Sequence, residues 1–278
     1  MSLMSDDGPS AIELTGRGVS LGSAIQAGMC IEPEWALPFG VSAAMTTRRG
    51  GASAAPYDTL NLGDHVGDVA AAVTDSRARL RTALGVDDIA WLRQVHGNRV
   101  ARIDSHALGT VQEADAAITS LQSVALAVMV ADCLPVLMTR TDGLEVAVAH
   151  AGWRGLANGV LVATVAAFAV PGSLISCWLG PSISAAHYEV DETVRSCFGS
   201  SVDAAFSATS PGHYRMDLRL IAELQLRELG VQLVRRSAEC AYAEPALYFS
   251  HRRDRVTGRC AALIWRHLPG SMESEPAA

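Results

Sequence analysis

Residues 124–131 read VALAVMVA, eight apolar residues with no charge and no turn former. A run of that length without polar alternation is a strand buried on both faces. Such a strand needs other layers on either side of it, so a small open sheet with one wet face is excluded. Residues 174–179 (LISCWL) read as a second buried strand, and residues 145–149 alternate and end at His150. None of these runs approaches the roughly 20 residues that a bilayer span needs.

The rest of the chain supplies mixed elements. A strand lies within residues 35–47. Helices are predicted over 69–84 with Gly85 as the stop, over 156–168, and over 217–229 with Gly230 beyond the end. Asp191 can cap a short helix that ends at Gly199. Residues 89–95 and 100–103 read as a hairpin around the Gly97-Asn98 turn. Residues 231–234, 246–249 and 261–265 read as the last strands. Helices and strands alternate irregularly, which predicts an α+β class of layered mixed β-sheets flanked by helices. No linker or repeat divides the chain. The expectation is one domain over residues 31–268, a weakly ordered extension over 1–30 and a disordered tail over 269–278.

Charge narrows the function. The chain carries 29 acidic residues against 22 basic ones, a net charge of −7, which disfavours a nucleic-acid partner. All of the basic residues are arginine, so Schiff-base and P-loop lysine chemistry is excluded. The six cysteines form no CxxC pair and the N-terminal residues show no basic stretch followed by an apolar run. The expectation is a cytoplasmic protein with reduced thiols and no membrane segment.

Three segments place a titratable or soft side chain beside tight-turn residues: QVHGN with His96, VMVADCLPV with Asp132 and Cys133, and VAVAHAGWRG with His150. Strand ends gathered at one edge are where layered α/β proteins place sites. Imidazole and thiolate are zinc ligands, and three of them leave one position open, as in a catalytic centre. Three readings stay open on these residues alone. They are a His96–Cys133–His150 metal site, a Cys133 nucleophile with a histidine base, and strand-end residues with a packing role only. Further on, TTRRGG offers Arg48 or Arg49 and a glycine backbone to an anion. Asn61, in the loop TLNLGDHVGD, can bond a sugar or base or cap its own loop. The basic segment SHRRDRVTGR, with Arg252, Arg253, Arg255 and Arg259, can frame an anion pocket or a charged turn.

Taken in order, TTRRGG, PYDTLNLGDHVGD, QVHGN, ADAAITS, ADCLPVLM, AHAGWRG, GPSIS and SHRRD resemble the YfiH-type family. Its members were long described as laccase-like polyphenol oxidases and later as purine nucleoside phosphorylases. The resemblance implies layered mixed sheets distantly similar to cysteine-hydrolase toxins. It implies Zn2+ on His96, Cys133 and His150, with Cu2+ as the alternative metal, and purine nucleosides and phosphate as partners. The implied activity is phosphorolysis of adenosine and inosine, with 5′-methylthioadenosine phosphorolysis and adenosine deamination beside it. Arg48 matches the family's arginine before the paired glycines and is a phosphate contact in that reading. Gln94 and Asn61 would contact the nucleoside, and Asp132 would orient a ligand or carry a proton. A copper polyphenol oxidase is the weaker reading, because eight histidines include no H-x-H pair. A Cys-His hydrolase or peptidoglycan-editing enzyme is the other alternative.

Overall fold

The structure is a computed structural model that describes residues 19–267. Two sheets carry it. In the first, the strand order is Cys30–Ile31, Val41–Thr46, Cys260–Arg266, Val124–Val130 and Asp88–Ala90. Only the last of these runs parallel to its neighbour. In the second, the order is Leu233–Arg236, Ile175–Leu179, Leu134–Arg140, Val146–Ala151, Ala116–Thr119 and Val100–Arg102. Its inner strands are antiparallel and both edge strands join in parallel. The mixed-sheet α+β class expected from the sequence is the class observed.

The run at residues 124–131 is apolar throughout because each face of its strand meets a different layer. Leu126, Val128 and Val130 meet Leu137, Val146 and Val148 of the second sheet. Ala125 and Ala127 turn the other way, beneath Leu80 and Leu84 of the helix Ala70–Leu84 and Leu21 and Ala24 of the helix Val19–Gln26. The outer face of the second sheet buries Ala147, Ala149, Val136 and Met138 beneath the helices Val160–Ala167 and Leu218–Glu228. The result is a helix–sheet–sheet–helix sandwich. Each leucine-sized side chain buried in it stabilises the fold by about 1.5–3 kcal/mol.

Four expectations need correction. Within the extension expected over 1–30, residues 19–30 hold a helix, Val19–Gln26, and the start of the edge strand Cys30–Ile31, and Leu21, Ala24, Met29 and Cys30 are buried with Ala44, Leu80 and Leu84. Residues 1–18 and the tail from 268 lie outside the described residues. The helix expected over 156–168 is two helices, Trp153–Ala157 and Val160–Ala167, broken where Gly159 takes φ 80°. Residues 246–249 form turns and loop, not a strand. The Gly97-Asn98 turn joins no hairpin. Asp88–Ala90 pairs with Val124–Val130 in the first sheet, and Val100–Arg102 pairs with Ala116–Thr119 in the second. The chain between them crosses from one sheet to the other.

Candidate metal centre

That crossing is one of three chain segments that meet at the same end of the sandwich. Residues 131–133 carry the chain from the first sheet, at Val130, to the second, at Leu134. The strand Val146–Ala151 ends there too, and Gly152 turns it into the next helix. His150 shares strand parity with Val146 and Val148, so its ring enters the space between the sheets, where Cys133 also packs. The histidine and cysteine ligand atoms of His96, Cys133 and His150 all lie within 4.8 Å of one another. The two imidazoles meet edge to face, 4.8 Å between ring centroids. His150 is buried, Cys133 half-buried and His96 exposed, so the group is open on one side.

Asp115 organises this group. It is fully buried at the start of the strand Ala116–Thr119. Its Oδ1 accepts from His150 Nδ1 at 2.8 Å and from the His96 N–H at 2.9 Å. Its Oδ2 accepts from the N–H groups of Val95 at 3.1 Å and Gly97 at 2.7 Å. A carboxylate only accepts, so the proton of His150 sits on Nδ1 and the Nε2 lone pair is left for a metal. The same carboxylate gathers three successive backbone donors and holds His96 at φ 61°, a left-handed conformation rare for histidine. This competition defeated the hairpin expected from the Gly97-Asn98 signal.

The electrostatics favour a thiolate. Burial opposes ionisation of Cys133, but the imidazoles of His150 and then His96 outweigh it and bring the thiol down to about 6. Burial likewise opposes the charge on His150, and the Cys133 thiolate together with Asp115 raises it to about 9. Burial works against the charge of Asp115 as well, yet the His150 bond and the Gly97 and Val95 N–H groups hold it below the usual carboxylate range. The donor set therefore fits a divalent metal: one thiolate, one imidazole with a fixed tautomer and a second imidazole on a braced loop.

Gly152 gives a second test of fit. A Cβ there would stand 3.0 Å from Cys133 Sγ and 3.4 Å from His96 Cδ2. Its φ of −65° suits any residue, so glycine is needed only for room. Gly152→Ala should weaken metal binding at least about tenfold, because ligand placement within a few tenths of an ångström is disturbed. Its unfolding free energy should move by less than about 1 kcal/mol. Metal titration and urea unfolding of the same preparation separate the two effects, and unchanged affinity would mean the ligands tolerate that shift.

The other residues singled out in the sequence are placed differently. Gln94 spends its amide on the strand Val124–Val130, donating to the Met129 carbonyl at 2.8 Å and accepting its N–H at 2.7 Å. Asn61 is fully buried. It donates to the Gly63 carbonyl and Asp68 Oδ2, and its Oδ1 accepts the N–H groups of Gly63 and Arg259. Both amides thus have protein partners where nucleoside contacts were expected. Arg48 lies over the Phe249 ring and donates to the Asp58 and Pro245 carbonyls and to Asp58 Oδ1. With Arg49, Asp58, Thr59, Pro245 and Ala246 it lines a 300 Å³ cavity. Asp132 takes φ 92°, accepts the Arg252 N–H at 2.6 Å on Oδ2 and leaves a buried Oδ1 without a partner. Of the basic segment, Arg253 braces three backbone carbonyls and Asp254. Arg252 stacks on Tyr188, whose hydroxyl is raised by burial and then by the Cys133 charge. Asp115 and Tyr188 are the neighbours of the site that the sequence reading passed over. The only local sign of Asp115 is a lone carboxylate opening the apolar run ADAAI.

The fold and site thus define a four-layered α+β protein with one His/Cys group capable of holding a metal. All eight histidines lie among the described residues, and that group is the only such cluster there. The chain belongs to the multi-copper polyphenol oxidoreductase laccase family, which it matches over residues 42–267. The resemblance to YfiH-type proteins holds. Purine nucleoside phosphorylase PA4543 of Pseudomonas aeruginosa is 42% identical, over 84% of this chain and 97% of its own. Purine nucleoside phosphorylase YfiH of Escherichia coli is 43% identical, over 84% and 98%. Among solved structures, NMB0706 of Neisseria meningitidis is 41% identical with a TM-score of 0.83, covering 86% of this chain and all of its own. The Bacillus licheniformis YfiH structure is 30% identical with a TM-score of 0.82, covering 87% and 98%. No helix among the described residues is long and apolar enough to cross a membrane.

Proposed function

We propose that this protein is a zinc-dependent purine nucleoside phosphorylase acting on adenosine and inosine. The observation that carries the reading is the cluster of three ligand atoms within 4.8 Å. It stands in a chain whose relatives at 42–43% identity bear the phosphorylase name. His96, Cys133 and His150 would hold the metal, which when bound supplies a Lewis acid at the open face of the site. Asp115 keeps the His150 proton on Nδ1 and keeps His96 turned towards the same point. The apolar wall between the sheets excludes water behind the ligands. Asp132, with its unpartnered Oδ1, is the acceptor offered to a substrate hydroxyl or amine. Phosphorolysis of 5′-methylthioadenosine and deamination of adenosine belong to the same proposal, Asp132 being the carboxylate beside Cys133 that could take a proton in the latter.

The test is paired. Metal content of the purified protein should be near one zinc per chain. Purine release from inosine and adenosine should depend on phosphate and vanish in His96→Ala and Cys133→Ala. Base release independent of phosphate would make the protein a nucleoside hydrolase instead. Copper in the protein, with oxygen consumed on phenols, would support the polyphenol oxidase reading. The line Asp115–His150–Cys133 favours one second reading, a Cys-His hydrolase in which the thiolate is a nucleophile. That reading requires turnover in metal-free protein and its loss on alkylating Cys133.

A further inference from the structure

Arg259 closes the loop before the strand Cys260–Arg266. In that ladder Cys260 stands opposite Val130, the last strand residue before the crossing that carries Asp132 and Cys133. Register therefore brings Arg259 to the same end of the same sheet as the candidate metal centre. The side chain is held from several directions. The Arg259 backbone N–H donates to Asn61 Oδ1 at 2.9 Å, and the side-chain Nη1 donates to the Thr257 and Gly258 carbonyls at 3.0 and 2.9 Å. Gly63 leaves room for its stem, since a Cβ there would come within 2.7 Å of Arg259 Cγ. The rest of the guanidinium is unspent. Among the described residues, Nε and Nη2 make no hydrogen bond and no carboxylate lies within ion-pair distance. Burial disfavours this charge, and the groups that sustain it most are Cys133 and then Asp132.

An arginine that is partly buried, braced and without an acidic partner is a seat for an anion. Arg48, the anion contact expected from the sequence, differs in that its guanidinium already holds Asp58. The carboxylate of Asp132, which also acts on the Arg259 charge, is tied on one oxygen by the Arg252 N–H. A divalent metal on the thiolate would leave the neighbourhood of Arg259 net positive.

We propose that Arg259 binds the phosphate co-substrate, through the paired Nε and Nη2 donors of a guanidinium preset by Asn61, Gly63 and the Thr257 and Gly258 carbonyls. This rests on the phosphorylase reading for the identity of the anion. It turns Asn61 from a candidate nucleoside contact into a support of an anion site, with Gly63 beside it.

The experiment measures inorganic phosphate binding to the zinc-loaded protein by calorimetry, together with the phosphate KM for purine release. Arg259→Gln should raise the phosphate Kd and KM at least about tenfold, with zinc content and nucleoside KM unchanged. Arg259→Lys, which keeps the charge but not the fork, should fall between the two. Gly63→Ala, which displaces the stem and removes no charge, should raise the phosphate Kd by a smaller factor. Wild-type phosphate affinity in Arg259→Gln at full zinc occupancy overturns the assignment. If the wild type binds phosphate but releases base without it, the phosphorylase reading fails. Loss of calorimetric phosphate binding in Arg259→Gln then still supports the anion site.

Discussion

Asp115→Asn should cost roughly 3–5 kcal/mol of stability and weaken metal binding by about tenfold to a hundredfold. The carboxylate is fully buried and accepts four hydrogen bonds, two on each oxygen. An amide of the same shape can accept on one side only. Its NH2 group would face either the Val95 and Gly97 donors or the His96 and His150 donors, setting two N–H groups against it at a buried site. The charge is lost as well, and His150, raised to about 9 beside it, loses one of its two counter-charges. Urea unfolding of metal-free protein reads the first effect, and zinc titration against a chromophoric chelator reads the second. A variant as stable as wild type would mean the loop around His96 is braced by something other than Asp115. A variant destabilised but with wild-type zinc affinity would confine Asp115 to the fold and strip it of its role in the site.

The same residue shows where sequence reasoning reaches its limit. Strands buried on both faces were legible at residues 124–131 and 174–179 because double burial leaves runs that are apolar but for Ser176. His96, Cys133 and His150 were legible because each stands beside a residue that ends regular structure. What was not legible is long-range pairing of polar side chains. Asp115 meets His150 across 35 positions and Gln94 meets Met129 across 35, and no local pattern marks either. Asn61 carries the signature of a loop that contacts something, and it does, but its partners are its own loop and the Arg259 backbone. The hairpin misreading has the same cause. A Gly-Asn turn closes a hairpin when nothing else claims the N–H groups leading into it, and here a buried carboxylate claims those of Val95, His96 and Gly97. The helix expected over 156–168 fails locally instead. Gly155 must sit close to the Gly97 and His150 carbonyls, 3.3 Å from each for an added Cβ, and Gly159 then turns the chain away. Close packing on the site takes precedence over helix continuity.

Raising the pH from about 7 to about 9 should strengthen zinc binding to this protein about fiftyfold, close to tenfold over the first unit and about fivefold over the second. In the metal-free protein Cys133 ionises at about 6, so it is already a thiolate at neutral pH. His150, raised to about 9 by the Cys133 thiolate and Asp115, is still an imidazolium. The metal needs Nε2 unprotonated. Below the His150 value each zinc bound must therefore expel one proton from that ring, and the affinity falls as the proton concentration rises. Above about 9 the dependence should flatten, since the ring is then neutral before zinc arrives. Calorimetry at about pH 8 in buffers of different ionisation enthalpy should report close to one proton released per zinc. Cys133→Ala removes a ligand and the main charge that keeps His150 protonated. It should retain no zinc through dialysis, and its residual binding should release much less than one proton. Proton release near zero in the wild type at that pH would show that the thiolate already stands beside a neutral imidazole before zinc binds. The charge-separated pair would then have to be abandoned, and with it the claim that Asp115 and the thiolate prepare His150 for the metal.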